Sequence, residues 1–139
     1  MYLRQSDLFW GLNQNFIRAL TSQAIKQTFQ PGENVFCAED PADFFYVLIQ
    51  GRIRLKVGGS GRGVYIGDQT GEAFGWSALI GRDCYSATCV CEEPTVLLRF
   101  DKAHVCGLLE KDSESAAIFF KQLAGALGER LLQTYHALE

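Results

Sequence analysis

Residues 71–88, GEAFGWSALIGRDCYSAT, combine residue types that suit the binding of a small anion. Gly71 has no side chain to block an incoming group, and it adopts a positive φ without steric cost. Glu72 follows with a carboxylate that accepts hydrogen bonds. Residues 73–79 are apolar on both sides of Gly75, which suits a single helical turn whose free N–H groups point at an anion. The sequence therefore predicts a ligand site at this turn.

Short strands are the elements that must hold this turn in place. Between residues 24 and 100, short apolar or alternating runs are broken by glycine and proline, a pattern typical of many short strands. Because no helical segment lies between them, they indicate a sandwich or jelly roll rather than a parallel sheet. We interpret the aromatic residues Phe45, Tyr46 and Trp76 as packing residues of this β domain. The predicted strands cover residues 25–29, 34–37, 44–50, 52–57, 64–67, 85–91 and 95–100.

Helical periodicity flanks the β region on both sides. Apolar residues between 7 and 20 recur at helical spacing and predict one or two short amphipathic helices. Residues 102–109 predict a short helix, and Asp112 or Ser113 caps a longer one that runs to about residue 137. One apolar face of that helix, Ala116, Phe119 and Leu123, is expected to cover the β domain. The other apolar stripe suits a partner helix, and we call it the α3 seam: Phe120, Ala124, Leu127, Leu131, Thr134 and Leu138.

Three stretches of the sequence together resemble a known family. The first is the glycine–glutamate pair with its apolar turn and the Ser86-Ala87-Thr88 strand start. The second and third are Pro31-Gly32-Glu33 with the acidic turn and aromatic strand DPADFFYVL, and the glycine-started strand GRIRL. The chain is similar to the cyclic-nucleotide-binding domains of catabolite-activator-type bacterial regulators and kinase regulatory subunits. The resemblance covers nearly the whole chain and implies a jelly roll flanked by helices.

The resemblance also implies roles for the residues of the turn and the strand after it. Glu72, set between Gly71 and Ala73, corresponds to the glutamate that binds a ribose hydroxyl. Its alternative role is that of a turn acid that caps local amides. Ser86 and the amide of Ala87 correspond to donors for the anion, and their alternative role is ordinary strand structure.

The chain departs from the family at Tyr85, where the family has an arginine. A guanidinium gives two charge-assisted hydrogen bonds to a phosphate, whereas a phenol gives at most one neutral bond. Arg82, on the same loop, either replaces that arginine or remains a solvated loop residue. On the long helix, Arg130 and Thr134 occupy the region where the family closes over the nucleotide base. Their alternative roles are those of surface and seam residues.

Length and charge place the chain among soluble single-domain proteins. Its 139 residues predict one domain, with N-terminal helices over 1–22, a β jelly roll over 23–100 and C-terminal helices over 101–139. The net charge of −3 leaves no basic stripe, so nucleic-acid binding by this chain alone is not expected. The chain starts without a signal peptide and has no stretch long enough to cross a bilayer. We expect a cytoplasmic protein that does not bind membranes.

Cysteines and histidines offer little support for an enzyme. The five cysteines lack a framework spacing and predict free thiols, with a metal or redox site at Cys84, Cys89 and Cys91 as the alternative. Only His104 and His136 are present, both in predicted helices, so a multi-histidine metal site is not expected. The sequence predicts no catalytic function and no cofactor beyond a possible cyclic nucleotide.

Two functions follow from this reasoning. The first is a regulatory sensor that binds a small anionic ligand, cAMP, cGMP or a relative, and signals through its last helix. The second is a scaffold of the same fold that has lost the ligand and dimerises. The chain ends at Glu139 without a DNA-reading helix-turn-helix, so the output is expected to pass through a partner or a homodimer formed by the last helix.

Overall fold

The computed structural model describes residues 8–58 and 62–138. Eight antiparallel strands form two four-stranded sheets, in the orders β1-β8-β3-β6 and β2-β7-β4-β5. Helices precede and follow the strands in the chain, and this confirms the predicted jelly-roll fold class. The strands are β1 Ile25–Phe29, β2 Asn34–Phe36, β3 Phe44–Gln50, β4 Ile53–Val57, β5 Arg62–Gly67, β6 Ala73–Phe74, β7 Thr88–Cys91 and β8 Thr95–Asp101.

The described residues form three α-helices, and each begins at a side-chain cap. They are α1 Gln14–Thr21, α2 Lys102–Lys111 and α3 Ser113–Ala137. Asn13, Asp101 and Asp112 each accept a hydrogen bond from a backbone N–H of the first turn, which satisfies a donor that has no partner within the helix. The hydrogen bonds from the Ser115 amide and hydroxyl hold the pKa of the Asp112 carboxyl below its usual value.

The structure differs from the predicted elements at three places. The predicted helices over 7–20 are a turn at residues 8–11 followed by α1 alone. The predicted helical turn over 73–79 is the two-residue strand β6 followed by a 3-10 turn, Trp76–Ala78. The predicted strand over 85–91 begins only at Thr88. In the last two cases, contacts with distant parts of the chain determine the local structure. Residues 73–74 form a strand because they pair with Tyr46 and Val47 of β3. Tyr85 stays outside β7 because it exchanges backbone hydrogen bonds with the loop at residues 39–40.

Two apolar cores hold the fold together. One lies between the helices and the β1-β8-β3-β6 sheet, where Phe9, Phe45, Phe100 and Phe119 pack ring against ring. The other lies between the two sheets and includes Phe36, Tyr46, Phe74 and Tyr85. Aromatic pairs in such geometries add to the free energy of area burial. Phe45 and Tyr46 are thus packing residues, as predicted.

Helix α3 is apolar on two sides, and only one of them is covered. Phe119 and Leu123 are buried in the first core, as their spacing predicts. On the α3 seam, Phe120 is 46% exposed, Leu131 51% and Leu138 76%. Leu127 of the seam packs against the first core, whereas Phe120, Leu131 and Leu138 are open to solvent in the single chain.

The thiols and histidines of the described residues do not converge on a metal. Cys89 and Cys91 lie in β7 and are buried in the core between the sheets, where burial raises the pKa of both thiols. Within the described ranges, no three His, Cys, Asp or Glu side chains come together in a metal-binding arrangement. Across the same residues, no helix has the length and apolar character needed to cross a bilayer.

Candidate functional site: the cassette turn and helix α3

The centre of the site is a glycine turn between β6 and the 3-10 turn. Gly75 has φ +82°, and a Cβ added there would lie 3.2 Å from the carbonyl oxygen of Phe44. A side chain at this position is therefore both conformationally strained and sterically opposed. The turn that follows, Trp76–Ala78, is closed by hydrogen bonds from Ala78 N to Gly75 O and from Leu79 N to Trp76 O.

A small cavity opens beside this turn and is the candidate ligand cradle. Its volume is about 70 Å³, well below the roughly 300 to 1,000 Å³ of typical ligand pockets. Every described residue of its lining is uncharged, and the polar groups present are hydroxyls and an indole N–H. The lining consists of Phe36, Leu55, Gly75, Trp76, Ser77, Tyr85, Ser86 and Ala87.

Tyr85, where the resemblance implies an arginine, is part of the core between the sheets. Its ring is stacked on Phe36 with centroids 4.0 Å apart, and its side chain is almost fully buried. The phenol donates to the carbonyl oxygen of Phe44 at 2.5 Å and accepts from the Phe44 amide at 3.2 Å. Burial raises the pKa of Tyr85 far above its usual value. The phenol thus presents its ring to the cradle, while its hydroxyl is occupied by the backbone.

Glu72 and Gly71 lie in the turn before β6 and do not line the cradle. The Glu72 carboxylate accepts from the hydroxyl of Tyr65 at 2.5 Å and from the Gln69 amide at 3.0 Å. Gly71 has φ +95° and donates its amide to the carbonyl of Leu48. In this structure Glu72 therefore has the contacts of the turn-capping alternative, with Tyr65 as an additional partner.

Helix α3 reaches the cassette through Arg130. One guanidinium nitrogen, Nη2, donates to the carbonyl oxygen of Ala73 at 2.5 Å. The guanidinium carbon lies 4.3 Å from the ring centroid of Tyr65 and 4.8 Å from that of Trp76. An arginine whose guanidinium lies over two aromatic rings gains a cation–π attraction from each. Arg130 thus contacts Trp76, which lines the cradle, and it belongs to α3.

Tyr65, which contacts Arg130, has a raised pKa although the arginine charge acts to lower it. Burial, followed by the hydrogen bond to Glu72, raises the pKa of the Tyr65 phenol to about 12. The phenol thus stays protonated at neutral pH and continues to donate to Glu72. The result is a connected group in which Glu72 orients Tyr65, and Tyr65 forms one wall for the guanidinium of Arg130.

The other predicted site residues are placed as follows. Ser86 is exposed and Ala87 half-buried, and both line the cradle. Arg82 lies exposed on the loop, with its amide bonded to the carbonyl of Ser77. Thr134 is exposed, and its hydroxyl donates to the carbonyl of Arg130 one helical turn earlier. The structure thus brings Ser86, Ala87 and, through Trp76, Arg130 to the cradle, and leaves Arg82 and Thr134 at the surface.

A second, larger groove lies between the β4–β5 hairpin and α3. Its volume is about 420 Å³, and it is lined by Arg54, Gly63, Tyr65, Ile66 and Gln133. Arg54 is paired with Glu92 at 2.7 Å. Tyr65 connects this groove with the Arg130 contact, so both lie on the side of the cassette that α3 covers.

From the sequence, Gly75 was predicted only as the centre of an apolar turn and Trp76 only as a packing residue, and Tyr65 was not predicted as part of the site. Gly75 and Trp76 form the cradle, and Tyr65 forms the outer wall of the arginine contact. The sequence contains two glycine-led pairs four residues apart, at residues 71–72 and 75–76, and the first attracted attention because it supplies a carboxylate. The apolar residues around Gly75 were the available signal for the second, because a glycine inside a packed turn often marks a close backbone approach.

Comparison with known proteins places this geometry in a family. The family model described as "Cyclic nucleotide-binding domain" matches residues 26–112, which include the cradle and the strands that hold it. Over 95 residues the chain is 30% identical to the cGMP-dependent protein kinase of Eimeria tenella, covering 68% of this chain and 9% of the kinase. The curated relatives are thus much longer, since the chain spans 18% and 9% of the two it matches.

Solved structures share the fold along nearly the whole chain. A Geobacter metallireducens GS-15 protein superposes with a TM-score of 0.83 at 21% identity, covering 93% of this chain and 95% of that one. The catabolite activator protein of Thermus thermophilus superposes with a TM-score of 0.75 at 24% identity, covering 96% of this chain and 62% of that one. At these identities the likeness establishes the shared fold.

Proposed function

Because the chain belongs to the cyclic nucleotide-binding domain family, we propose that it is a non-catalytic sensor domain that binds a small anionic ligand and signals through α3. The ligand class tested first is the cyclic mononucleotide, cAMP or cGMP. The proposal concerns this domain, and any output beyond α3 depends on the partner or copy that α3 contacts.

One observation carries the proposal: Arg130 joins α3 to the cassette. Its guanidinium is bonded to the Ala73 carbonyl and held between Tyr65 and Trp76. Because Trp76 also lines the cradle, a ligand that enters the cradle meets a wall whose other partner is on the helix. A change at the cradle therefore changes the free energy with which α3 docks.

The distribution of charge around the cradle supports an anionic ligand that interacts with Arg130 of α3. The described lining of the cradle carries no cation, and Tyr85 has its hydroxyl occupied by Phe44. Arg130 supplies a permanent positive charge next to that lining, and charge-assisted hydrogen bonds are roughly twice as strong as neutral ones. Glu72 acts on the ligand indirectly in this scheme, by positioning Tyr65.

Calorimetric titration with cAMP and cGMP tests the proposal. We expect weak binding that Arg130→Gln reduces by about ten- to a hundredfold, since a hydrogen bond to a charged group contributes about 1.5–3 kcal/mol. Lys121→Gln, which removes an exposed cation from the same helix, serves as the matched control and leaves the affinity unchanged. Hydrogen exchange of the α3 amides is expected to slow when the ligand is bound.

Two outcomes contradict the proposal. In the first, Arg82→Ala abolishes binding while Arg130→Gln binds as well as the wild type. The loop arginine then binds the anion, and binding is not linked to α3. In the second, neither cAMP nor cGMP binds at millimolar concentration. The sensor function is then rejected in favour of the second candidate, the scaffold.

The exposed α3 seam favours that second candidate, a scaffold that dimerises through α3. Leu131 and Leu138 leave about half or more of their surface in solvent, as expected for a helix that a partner helix covers. Multi-angle light scattering of wild type and Leu131→Asp tests it, with Lys121→Asp as a control for added charge outside the seam. We expect a dimer that Leu131→Asp converts to monomer. A monomeric wild type at high micromolar concentration would refute the dimer.

A further inference from the structure

Three cations follow one another on the outer face of the sheet β2-β7-β4-β5. Alternate residues of a strand point to the same side of a sheet. In β4, Ile53 is buried in the core between the sheets and Leu55 packs against that core. The residues that alternate with them, Arg52, Arg54 and Lys56, therefore point away from the core, and we call them the β4 cation row.

The row carries more positive charge than its neighbours neutralise. One carboxylate serves two guanidiniums, because Oε1 of Glu92 lies 3.3 Å from Nε of Arg52 and Oε2 lies 2.7 Å from Nη2 of Arg54. Within the part of the chain that the structure describes, these are the only ion pairs of the row. Lys56 and one of the two arginine charges thus remain uncompensated, on a chain whose net charge is −3.

Arg54 occupies a position that its surroundings leave free for it. Gly63 of the neighbouring strand makes room for its stem, since a Cβ added to Gly63 would lie 3.1 Å from Cδ of Arg54. The Nε atom of Arg54 is buried and has no hydrogen-bond partner among the described residues. Buried donors are almost always paired, because an unpaired donor loses its hydration without compensation. The guanidinium therefore retains a donor for an acceptor that the described residues do not supply.

Protection of a sheet edge does not explain the row. Exposed cations on edge strands prevent the sheets of different molecules from pairing, but β4 lies between β7 and β5 and has no open edge. On the same face, the neighbours of Arg54 are Ile66 of β5, which is 40% exposed, and the half-buried Val90 of β7. The face thus presents a line of cations between two apolar positions.

The spacing and the sign of the row match an extended acidic peptide. Alternate residues of an extended chain lie about 6.6 Å apart, so a peptide laid along β4 brings every second side chain to one cation. Nucleic acids and anionic membranes fit less well, because they are broad polyanions that a chain of net charge −3 repels. A short acidic segment needs only the local charge of the row.

We propose that the β4 cation row is a docking surface for an acidic, extended segment of a partner protein. Carboxylates of the segment pair with Arg52, Arg54 and Lys56, and the methylene groups of its glutamates contact Ile66 and Val90. The docking requires no bound ligand, so it is a second activity beside the proposed sensor function.

Fluorescence anisotropy with labelled synthetic peptides tests the proposal. The probe is a peptide of about ten residues in which glutamate alternates with serine, and the same peptide with glutamine in place of glutamate is its control. We expect Arg54→Gln and Lys56→Gln each to weaken binding of the probe by about two- to fivefold, as for exposed ion pairs. Lys26→Gln, which removes an exposed cation from β1 of the other sheet, leaves the affinity unchanged.

Glu92→Gln gives a prediction of the opposite sign. It removes the internal partner of Arg52 and Arg54, so we expect the acidic peptide to bind about two- to fivefold more tightly. Glu93→Gln changes the net charge by the same amount, but Glu93 has no ion pair among the described residues, and it is the matched control. Arginines that only hold Glu92 in place would produce no such gain. Circular dichroism verifies that each variant remains folded.

Three outcomes overturn the proposal. The first is that the acidic peptide at millimolar concentration binds neither to the wild type nor to Glu92→Gln. The second is equal binding to the wild type and to the folded double variant of Arg54→Gln and Lys56→Gln. The third is that a labelled oligonucleotide, or vesicles of phosphatidylglycerol, bind more tightly than the peptide and lose binding in that double variant, since the row is then a surface for polyanions. None of these measurements uses a cyclic nucleotide, so their failure is distinct from failure of the proposed sensor function.

Discussion

Replacing Tyr85 tests whether this side chain belongs to the core or to the ligand. Tyr85→Phe keeps the ring stacked on Phe36 and removes the hydroxyl, which makes two hydrogen bonds to the Phe44 backbone. Losing one partner of a buried hydrogen bond costs about 1–3 kcal/mol. In a domain of this size, each kcal/mol lowers the melting temperature by roughly 3–5 °C.

Tyr85→Arg separates the two interpretations more sharply. If position 85 faces the ligand, an arginine there adds charge for a phosphate and strengthens binding. The structure instead places the side chain against Phe36, where an arginine loses the ring stack and leaves an uncompensated buried cation. A charge of that kind costs about 3–5 kcal/mol. We therefore expect Tyr85→Arg to destabilise the fold more than Tyr85→Phe does.

Urea unfolding followed by circular dichroism provides the measurement. Tyr135→Phe is the matched control, since Tyr135 is 52% exposed and such changes usually shift stability by less than about 0.5 kcal/mol. If Tyr85→Phe unfolds at the same urea concentration as the wild type, the hydroxyl is not held by Phe44 in solution. If Tyr85→Arg retains wild-type stability and binds cAMP more tightly, the core placement of residue 85 is refuted.

Two further predictions concern the turn and the arginine contact. Gly75→Ala is expected to destabilise the fold by more than the roughly 1–2 kcal/mol that a non-glycine residue costs in the left-handed conformation, because its Cβ also meets the Phe44 carbonyl. Gly81→Ala is the control, since Gly81 also has φ +82° but has open space around it. Equal losses in the two variants would show that the steric contact is unimportant. The second concerns alkaline unfolding. Because the folded-state pKa of Tyr65 is about 12 against 10.0 in the unfolded chain, its contribution to stability is fully present below pH 10 and is lost as the pH rises toward 12. Tyr65→Phe should flatten that part of the stability curve, as measured by unfolding at several pH values, and an unchanged slope would contradict the shift.

Much of the fold follows from the local pattern of apolar and turn residues. Strands β1 and β3 have the predicted bounds, because alternating or continuous apolar residues between turn residues determine both. Strand β6 was not predicted, since two residues cannot show an alternation. Its existence depends on the pairing of Phe74 with Tyr46, a contact between residues far apart in the sequence. The start of α1 at Gln14 was also missed, because the apolar residues of the preceding turn happen to continue the helical spacing.

The stretch that contains most of the candidate site could be predicted from the sequence, but the glycine that forms its centre could not. Six of the eight described residues that line the candidate cradle lie within residues 71–88, but the sequence indicated a glycine four residues too early because Glu72 offered a carboxylate. Pattern alone cannot tell which of two glycines lies next to a strand backbone. The distance from Gly75 to the Phe44 carbonyl decides it, and that distance depends on how β3 pairs with β6 and β8.

A cation on α3 rather than at position 85 of the β domain would change how ligand binding affects the helix. An arginine at position 85 would belong to the β domain, and its contribution to affinity would not require α3. In the proposed function the cation is Arg130, so its contribution would be available only while α3 is docked against Tyr65 and Trp76. By linkage, whatever factor the docked helix adds to ligand affinity is the factor by which the ligand favours docking. If Arg130 contributes tenfold to affinity, the ligand shifts the docking equilibrium of α3 tenfold, about 1.4 kcal/mol. In the proposed function, a tyrosine at position 85 in place of an arginine would therefore lower the affinity of the cradle itself while coupling the ligand more directly to the helix.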